Sequence, residues 1–250
     1  MCGLVFKAKY LEKRISLPSS DARNLGIWFE YWATSAMPAY PDPAWPVDPV
    51  HGIQMPPINY SLTGLKKIPA VYEMLTPFQR AKRQAENFKH YIQKLGIEII
   101  ACGERVMRDD CSGVLDIRAL YKGVEIIIDL KYTGLIDDKW NDLGWEKLSL
   151  PSKWKNTVQA YHYKYITGLP FFWMLFDSGA DLDAKFYEAR ISDDSMLYYE
   201  KTLNDKREIL KQDIRNGFRA YPTLKDCMDC PLAAECRHRV TYPIPETIHL

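Results

Sequence analysis

The 250-residue sequence contains no run of 18 or more apolar residues, which argues against a helix that crosses a membrane. Its opening residues, MCGLVFKAKY, lack the apolar stretch of a secretory signal. A soluble, cytoplasmic protein is expected, with no membrane partner. Excess charge of either sign is also missing: 33 Lys and Arg face 32 Asp and Glu, a net charge of +1. A global basic field is therefore excluded, and any nucleic-acid partner must be met by a local patch. Cysteine is scarce, with six residues at 2, 102, 111, 227, 230 and 236. That is too few and too uneven for a disulfide framework in a chain this long. No internal repeat or low-complexity tract is present.

What the chain does carry is aromatic residues, seven Trp and sixteen Tyr, and a regular alternation of element signals. The segment FKAKYLEKR reads as a short helix ended by Pro18. Ser19, Ser20 and Asp21 offer N-caps for a helix over 21–36, with Leu25, Phe29, Trp32 and Ala36 as its apolar stripe and Trp28 alongside. Residues 38–57 are dense in proline and read as a surface loop or insertion. Residues 58–75 carry no clear signal. Pro77 opens a helix to about residue 95, the most basic in the chain, with Arg80, Lys82, Arg83, Lys89, His90 and Lys94. Its charges suit a solvated face at least as well as a DNA-facing one. Gly96 ends it. Strands are expected over 97–107, 113–121 and 124–131, then a loop over 132–152, a helix over 154–166, strands over 171–176 and 185–190, and a long helix over 193–217. Helices before, between and after a mixed sheet predict an α/β or α+β domain.

The stretch over 113–131, GVLDIRALYKGVEIIIDLK, alternates with period two on either side of Lys122-Gly123. A two-residue hairpin loop there puts Tyr121 opposite Val124 and Asp116 opposite Asp129. Directly opposed side chains have Cβ atoms about 4.5–5.5 Å apart, where like charges repel. Lys131 follows on the same face as Asp129. Two acids and a lysine on one spot suit a hard divalent cation beside a water that it activates. The plainer explanation is a solvated Asp at a strand end.

A second constellation is Cys227-x2-Cys230-x5-Cys236, with Pro231 after the second cysteine. Three thiolates this close point to a bound metal. Zinc would take four Cys or His ligands, and His238 could complete that set. An iron–sulfur cluster takes four cysteines, and Cys2 is the candidate fourth. Cys102 and Cys111 fall on or beside predicted strands, where a small buried residue is the ordinary reading.

Taken in order, these motifs resemble the RecB-like iron–sulfur branch of the PD-(D/E)XK nuclease superfamily, which includes AddB-like, CRISPR-associated and phage exonuclease types. The family's opening cysteine and aromatic-basic segment resemble Cys2 with Phe6, Lys7, Tyr10 and Leu11. Its helix with glycine and, four residues on, His or Glu resembles Gly26 and Glu30. Its central Asp…(D/E)-x-K resembles Asp116, Asp129 and Lys131. Its Gln-x3-Tyr resembles Gln159 and Tyr163, and its last cysteines resemble Cys227, Cys230 and Cys236. Three points depart from the pattern: Asp129 stands where Glu is commoner, Glu30 where many members have His, and roughly 80 residues separate Glu30 from Asp116. Glu86 or His90, on the helix just before the hairpin, are the alternatives to Glu30.

The resemblance implies a restriction-endonuclease-like core over about 77–217 within a single domain. The N-terminal helix and proline-rich insertion would occupy 1–76, and a cysteine-cluster segment 218–250. It implies a metal-dependent DNA nuclease, and an exonuclease of recombination, repair or phage DNA metabolism (in the host cytoplasm if phage-encoded). Glu30, Asp116, Asp129 and the carbonyl of Leu130 would hold Mg²⁺ or Mn²⁺, and Lys131 would orient or deprotonate the attacking water. A like charge beside it would lower its pKa. Gln159 and Tyr163 would support the site and contact single-stranded DNA or duplex ends. Cys2, Cys227, Cys230 and Cys236 would hold a 4Fe–4S cluster, with Zn²⁺ as the alternative. Trp140, Trp145 and Trp154, interleaved with Lys139, Lys147, Lys153 and Lys155, fit a single-strand path, and core packing explains some of them equally well. The rival from another class is a non-catalytic nucleic-acid-binding or scaffold module that keeps the fold.

Overall fold

The structure, a computed structural model, describes residues 7–12, 20–38, 41, 45–50, 52–57, 65–68, 73–134, 136, 154–218, 230, 232 and 236. The chain divides into two compact units, residues 19–199 and a second made of residues 1–18 and 200–250. In the second, Lys7–Leu11 forms a single π-helical turn.

Helix α1, Asp21–Thr34, starts at Ser20, whose hydroxyl accepts from the Arg23 amide. It stops at Ser35, whose left-handed backbone (φ 58°) turns the chain. Ala36 therefore lies past the helix, and Ala33 takes its expected place on the buried stripe with Leu25, Trp28 and Phe29. The described residues of the proline-rich segment are tied to α1. Val47 bridges Gln54, Met55 is buried, and the carbonyls of Pro56 and Pro57 accept from Trp28 Nε1 (3.0 Å) and Asn24 Nδ2 (2.7 Å). Residues without a clear sequence signal form a small antiparallel pair, β1 (Lys66–Ile68) with β2 (Glu73–Leu75).

Helix α2, Pro77–Leu95, has a capping box between Thr76 and Gln79, proline in its first turn and Gly96 at its C-cap. Its basic face is not uniformly solvated. Arg80 is buried, donating to the carbonyls of Leu75 (2.9 Å) and Ser178 (3.1 Å). Buried Gln84 donates to those of Asp177 and Asp183. These bonds tie α2 to the backbone of Asp177, Ser178 and Asp183.

A five-stranded sheet follows: β3 (Ile97–Arg108), β4 (Cys111–Tyr121), β5 (Val124–Thr133), β6 (Phe171–Asp177) and β7 (Ala184–Glu188), adjacent in that order. Only β5–β6 is parallel. A parallel neighbour requires a crossover, and helix α3, Trp154–Thr167, lies in it. Helix α4 spans Asp193–Asn216. The fold is thus α/β, a mixed sheet flanked by helices. Leu25, Phe29, Ala85, Phe88, Ile117 and Ile128 belong to the core under α1 and α2; Leu115, Ile127, Ala160, Phe171 and Trp173 belong to the core under α3. No helix among the described residues is long and apolar enough to cross a membrane.

Candidate active site

The β4–β5 hairpin turns on Lys122 (φ 51°) and Gly123 (φ 80°), the two positive φ values of a type I′ turn. Its pairs run from Tyr121↔Val124 to Ile117↔Ile128, the register that the alternation predicts. There the ladder stops. Beyond it β4 pairs only with β3, down to Cys111, and β5 only with β6, up to Thr133. The two strands fork at the position where Asp116 would meet Asp129. Instead of a backbone carbonyl, Asp116 Oδ2 takes the Leu130 amide, at 2.8 Å.

Four titratable groups gather at this fork. Asp129 is 1% exposed. Lys131 Nζ lies 2.5 Å from its Oδ2, and Gln159 of α3 donates to its Oδ1 while accepting from Lys131 (3.2 Å). Glu30 comes in from α1. Burial first, then the Asp129 charge, raise its carboxyl to about 7, against a smaller pull from Lys131. Burial likewise holds Asp116 well above the usual carboxylate range, helped by Asp129 and Glu30 and opposed by Lys131 and the Leu130 amide. Asp129 is raised by burial, with Lys131 and Gln159 opposing. For Lys131, burial disfavours the ammonium, but Asp129, Asp116 and Glu30 outweigh it and the net shift is upward. The lowered value expected for Lys131 beside a cation is therefore not that of the protein alone.

Glu86 is exposed and paired with Arg83 (3.4 Å), and His90 is exposed. Of the three first-motif candidates, Glu30 is the one placed against Asp116 and Asp129. Tyr163 packs directly on β4: a Cβ on Gly113 would lie 2.5 Å from its Cε1. Its hydroxyl donates to the Val114 carbonyl at 2.6 Å. Cys102, expected as an inert strand residue, is half-buried near the carboxylates, and burial, Asp116 and Glu30 push its thiol up. Cys111 is buried.

One positive charge faces three carboxylates here. The donors are the hard oxygens that Mg²⁺ or Mn²⁺ takes, and the excess negative charge is what such an ion offsets. Among the described residues, however, no three acidic, thiol or imidazole groups already converge as a chelate; Lys131 and Gln159 occupy Asp129. The donor set fits a divalent cation once these two side chains give way.

A cleft of about 500 Å³ opens onto the fork. Glu30, Asp116, Gln159 and Tyr163 line it, together with residues that sequence reasoning missed: Arg23, Trp45 and His162. His162 is held by Tyr199 Oη (2.7 Å) and the Ser112 carbonyl (3.2 Å). Arg23 had a signal, since it sits two helical turns before Glu30 on the same face. Trp45 had none.

Of the expected cluster ligands, Cys230 and Cys236 are half-buried free thiols, while Cys2 and Cys227 lie outside the described residues. So do His238, Lys139, Trp140, Trp145, Lys147 and Lys153; Trp154 and Lys155 are described only as helix backbone.

The residue 19–199 arrangement belongs to a chain whose structure superposes on that of a candidate exonuclease from Eubacterium rectale. The match covers 98% of this chain and 90% of that one, with a TM-score of 0.55 and 16% identity. The two chains share a fold. At that identity the likeness is one of fold, and it leaves the chemistry to the residues above. The crystal structure of SSO0001 matches at a TM-score of 0.33 and 11% identity over 64% of this chain and 69% of that one, too distant to support an argument. No protein-family model and no curated protein matches the sequence.

Proposed function

We propose that the protein is a divalent-metal-dependent deoxyribonuclease that cuts phosphodiester bonds from DNA ends, an exonuclease of the RecB-like PD-(D/E)XK type. The observation that carries this reading is the forked hairpin. It gathers half-buried Glu30, Asp116 and Lys131 around buried Asp129, beside a cleft that Glu30 and Asp116 line. The shared fold with a candidate exonuclease supports it.

Glu30, Asp116, Asp129 and the Leu130 carbonyl would hold Mg²⁺ or Mn²⁺. The bound ion supplies a more acidic water and neutralises charge on the phosphate. Each side chain has a definable share of the work. Asp116 is oriented by the Leu130 amide and Asp129 by Gln159. Desolvation raises all three acids and makes them poor carriers of negative charge by themselves, which favours exchange of protons for a cation. Lys131 keeps its proton while the carboxylates are unneutralised. It can orient a water through its N–H groups, and take a proton from it once that negative charge is offset. Tyr163, with its hydroxyl already committed to Val114, fixes α3 and hence Gln159 on the strand.

We infer further that Cys2, Cys227, Cys230 and Cys236 hold a 4Fe–4S cluster. Their spacing and the free thiols of Cys230 and Cys236 support this. Anaerobically purified protein should be brownish, with broad absorption near about 400 nm; a colourless, zinc-containing protein would contradict it. Degradation of end-labelled DNA with Mg²⁺ tests the main reading. Both Lys131→Ala and Asp116→Ala should lower kcat by about 100-fold or more.

A further inference from the structure

The cleft has two ends of opposite character. At the fork it is acidic. Two turns back along α1, about 10 Å from Glu30 by the rise of a helix, stands Arg23, the only lysine or arginine among the described residues that line it. Arg23 is exposed, and its guanidinium has no hydrogen-bond or ion-pair partner among the described residues. Trp45 lines the same cleft, half-buried, and its ring stacks on no other ring among the described residues.

Trp45 is also held in place. The neighbouring Pro46 carbonyl accepts from Met55 N at 3.2 Å, Asp48 N donates to Ile53 at 2.7 Å, and Met55 is buried. Asn24 and Trp28 of α1 then tie Pro57 and Pro56 to the helix that carries Arg23 and Glu30. On the other side, Gly103 (φ 64°) lets the chain after α1 pass closely; a Cβ there would lie 2.9 Å from Ala36 Cβ. The segment that carries Trp45 and the helix that carries Arg23 and Glu30 are thus tied together.

We infer that Arg23 and Trp45 are the substrate-positioning pair of this site: Trp45 stacks on an unpaired base and Arg23 holds a phosphate of the same strand. A base can meet an aromatic face only when it has left its own stack, and such stacking contributes about 1–3 kcal/mol per base. A cleft of about 500 Å³ is on the scale of one small ligand. The substrate class is therefore a DNA strand unpaired at its end. The inference rests on the nuclease reading of the same site.

The test is steady-state cleavage of a labelled oligothymidylate by the full-length protein with Mg²⁺, after a thermal melt of each variant. Arg23→Ala should raise KM about tenfold with kcat within about twofold, and flatten the dependence of log KM on log salt by about 0.7. Arg23→Lys should restore most of both. Trp45→Met, which stays apolar and removes the ring, should raise KM about tenfold, whereas Trp45→Phe, which keeps an aromatic face, should not. A blunt hairpin of the same length should be cut more slowly than the oligothymidylate. Unchanged KM and salt slope in Arg23→Ala, equal KM for Trp45→Met and Trp45→Phe, or faster cutting of the blunt hairpin would overturn the pair. Arg23 is exposed, so its variants remain informative if Trp45→Met does not fold. An inactive wild type would instead remove the nuclease reading and this inference with it.

Discussion

Glu30 shows how the fork works at the scale of one residue. Its carboxyl rises from an ordinary value of 4.5 to about 7, chiefly by burial. The folded state therefore binds this proton more tightly than the unfolded chain. The stability it contributes is full below about pH 4.5 and is lost as pH rises through about 7. In chelator-treated protein, Glu30→Gln should gain on the wild type between about pH 5 and pH 8, by at most about 3 kcal/mol. Added Mg²⁺ should reverse that gain. A gap between the two melting temperatures that does not move with pH would contradict the burial of Glu30 beside Asp129. Sequence reasoning reached Glu30 only through a glycine four residues earlier and left Glu86 and His90 open. Spacing does not report which helix face meets a sheet, and here the decision lies in tertiary packing. The same limit hid Arg80, whose burial depends on carbonyls nearly a hundred residues away, and Cys102.

Elements were far more legible than contacts. Pro77, Thr76 and Gly96 mark both ends of α2 by their backbone chemistry alone. The period-two pattern around Lys122-Gly123 carries the register of β4 and β5. What alternation cannot carry is the point where a ladder ends, because Asp116 replaces a strand carbonyl with its own side chain. The short pair β1–β2 was missed because three-residue strands hold too little pattern to count. The fork also depends on α3 lying flat against β4. Gly113→Ala would place a methyl group 2.5 Å from the Tyr163 ring, at a cost of about 1–3 kcal/mol. It should lower the melting temperature and, by shifting Gln159, lower kcat as well. Equal stability and activity in this variant, measured by thermal melt and DNA cleavage, would show that α3 does not need that close approach. At the start of α2, Thr76→Ala should cost about 1 kcal/mol and leave cleavage unchanged.

For the whole molecule, the forked strands, the buried acids and the pinned proline-rich segment are parts of one arrangement. On the nuclease reading its negative end would take a cation, and its other end presents a guanidinium and a free aromatic face. A bound ion should stabilise the protein by mass action, about 2.7 kcal/mol at a hundred times its Kd, and Asp116→Ala should lose that gain. The measurement that bears most directly on the account is degradation of end-labelled single-stranded and duplex DNA with Mg²⁺ or Mn²⁺, run on wild type, Asp116→Ala and Lys131→Ala. The wild type should shorten the strand progressively from an end, an activity abolished by chelator and reduced about 100-fold or more in both variants. Activity that survives both substitutions, or no cleavage by the wild type with either ion, would contradict it.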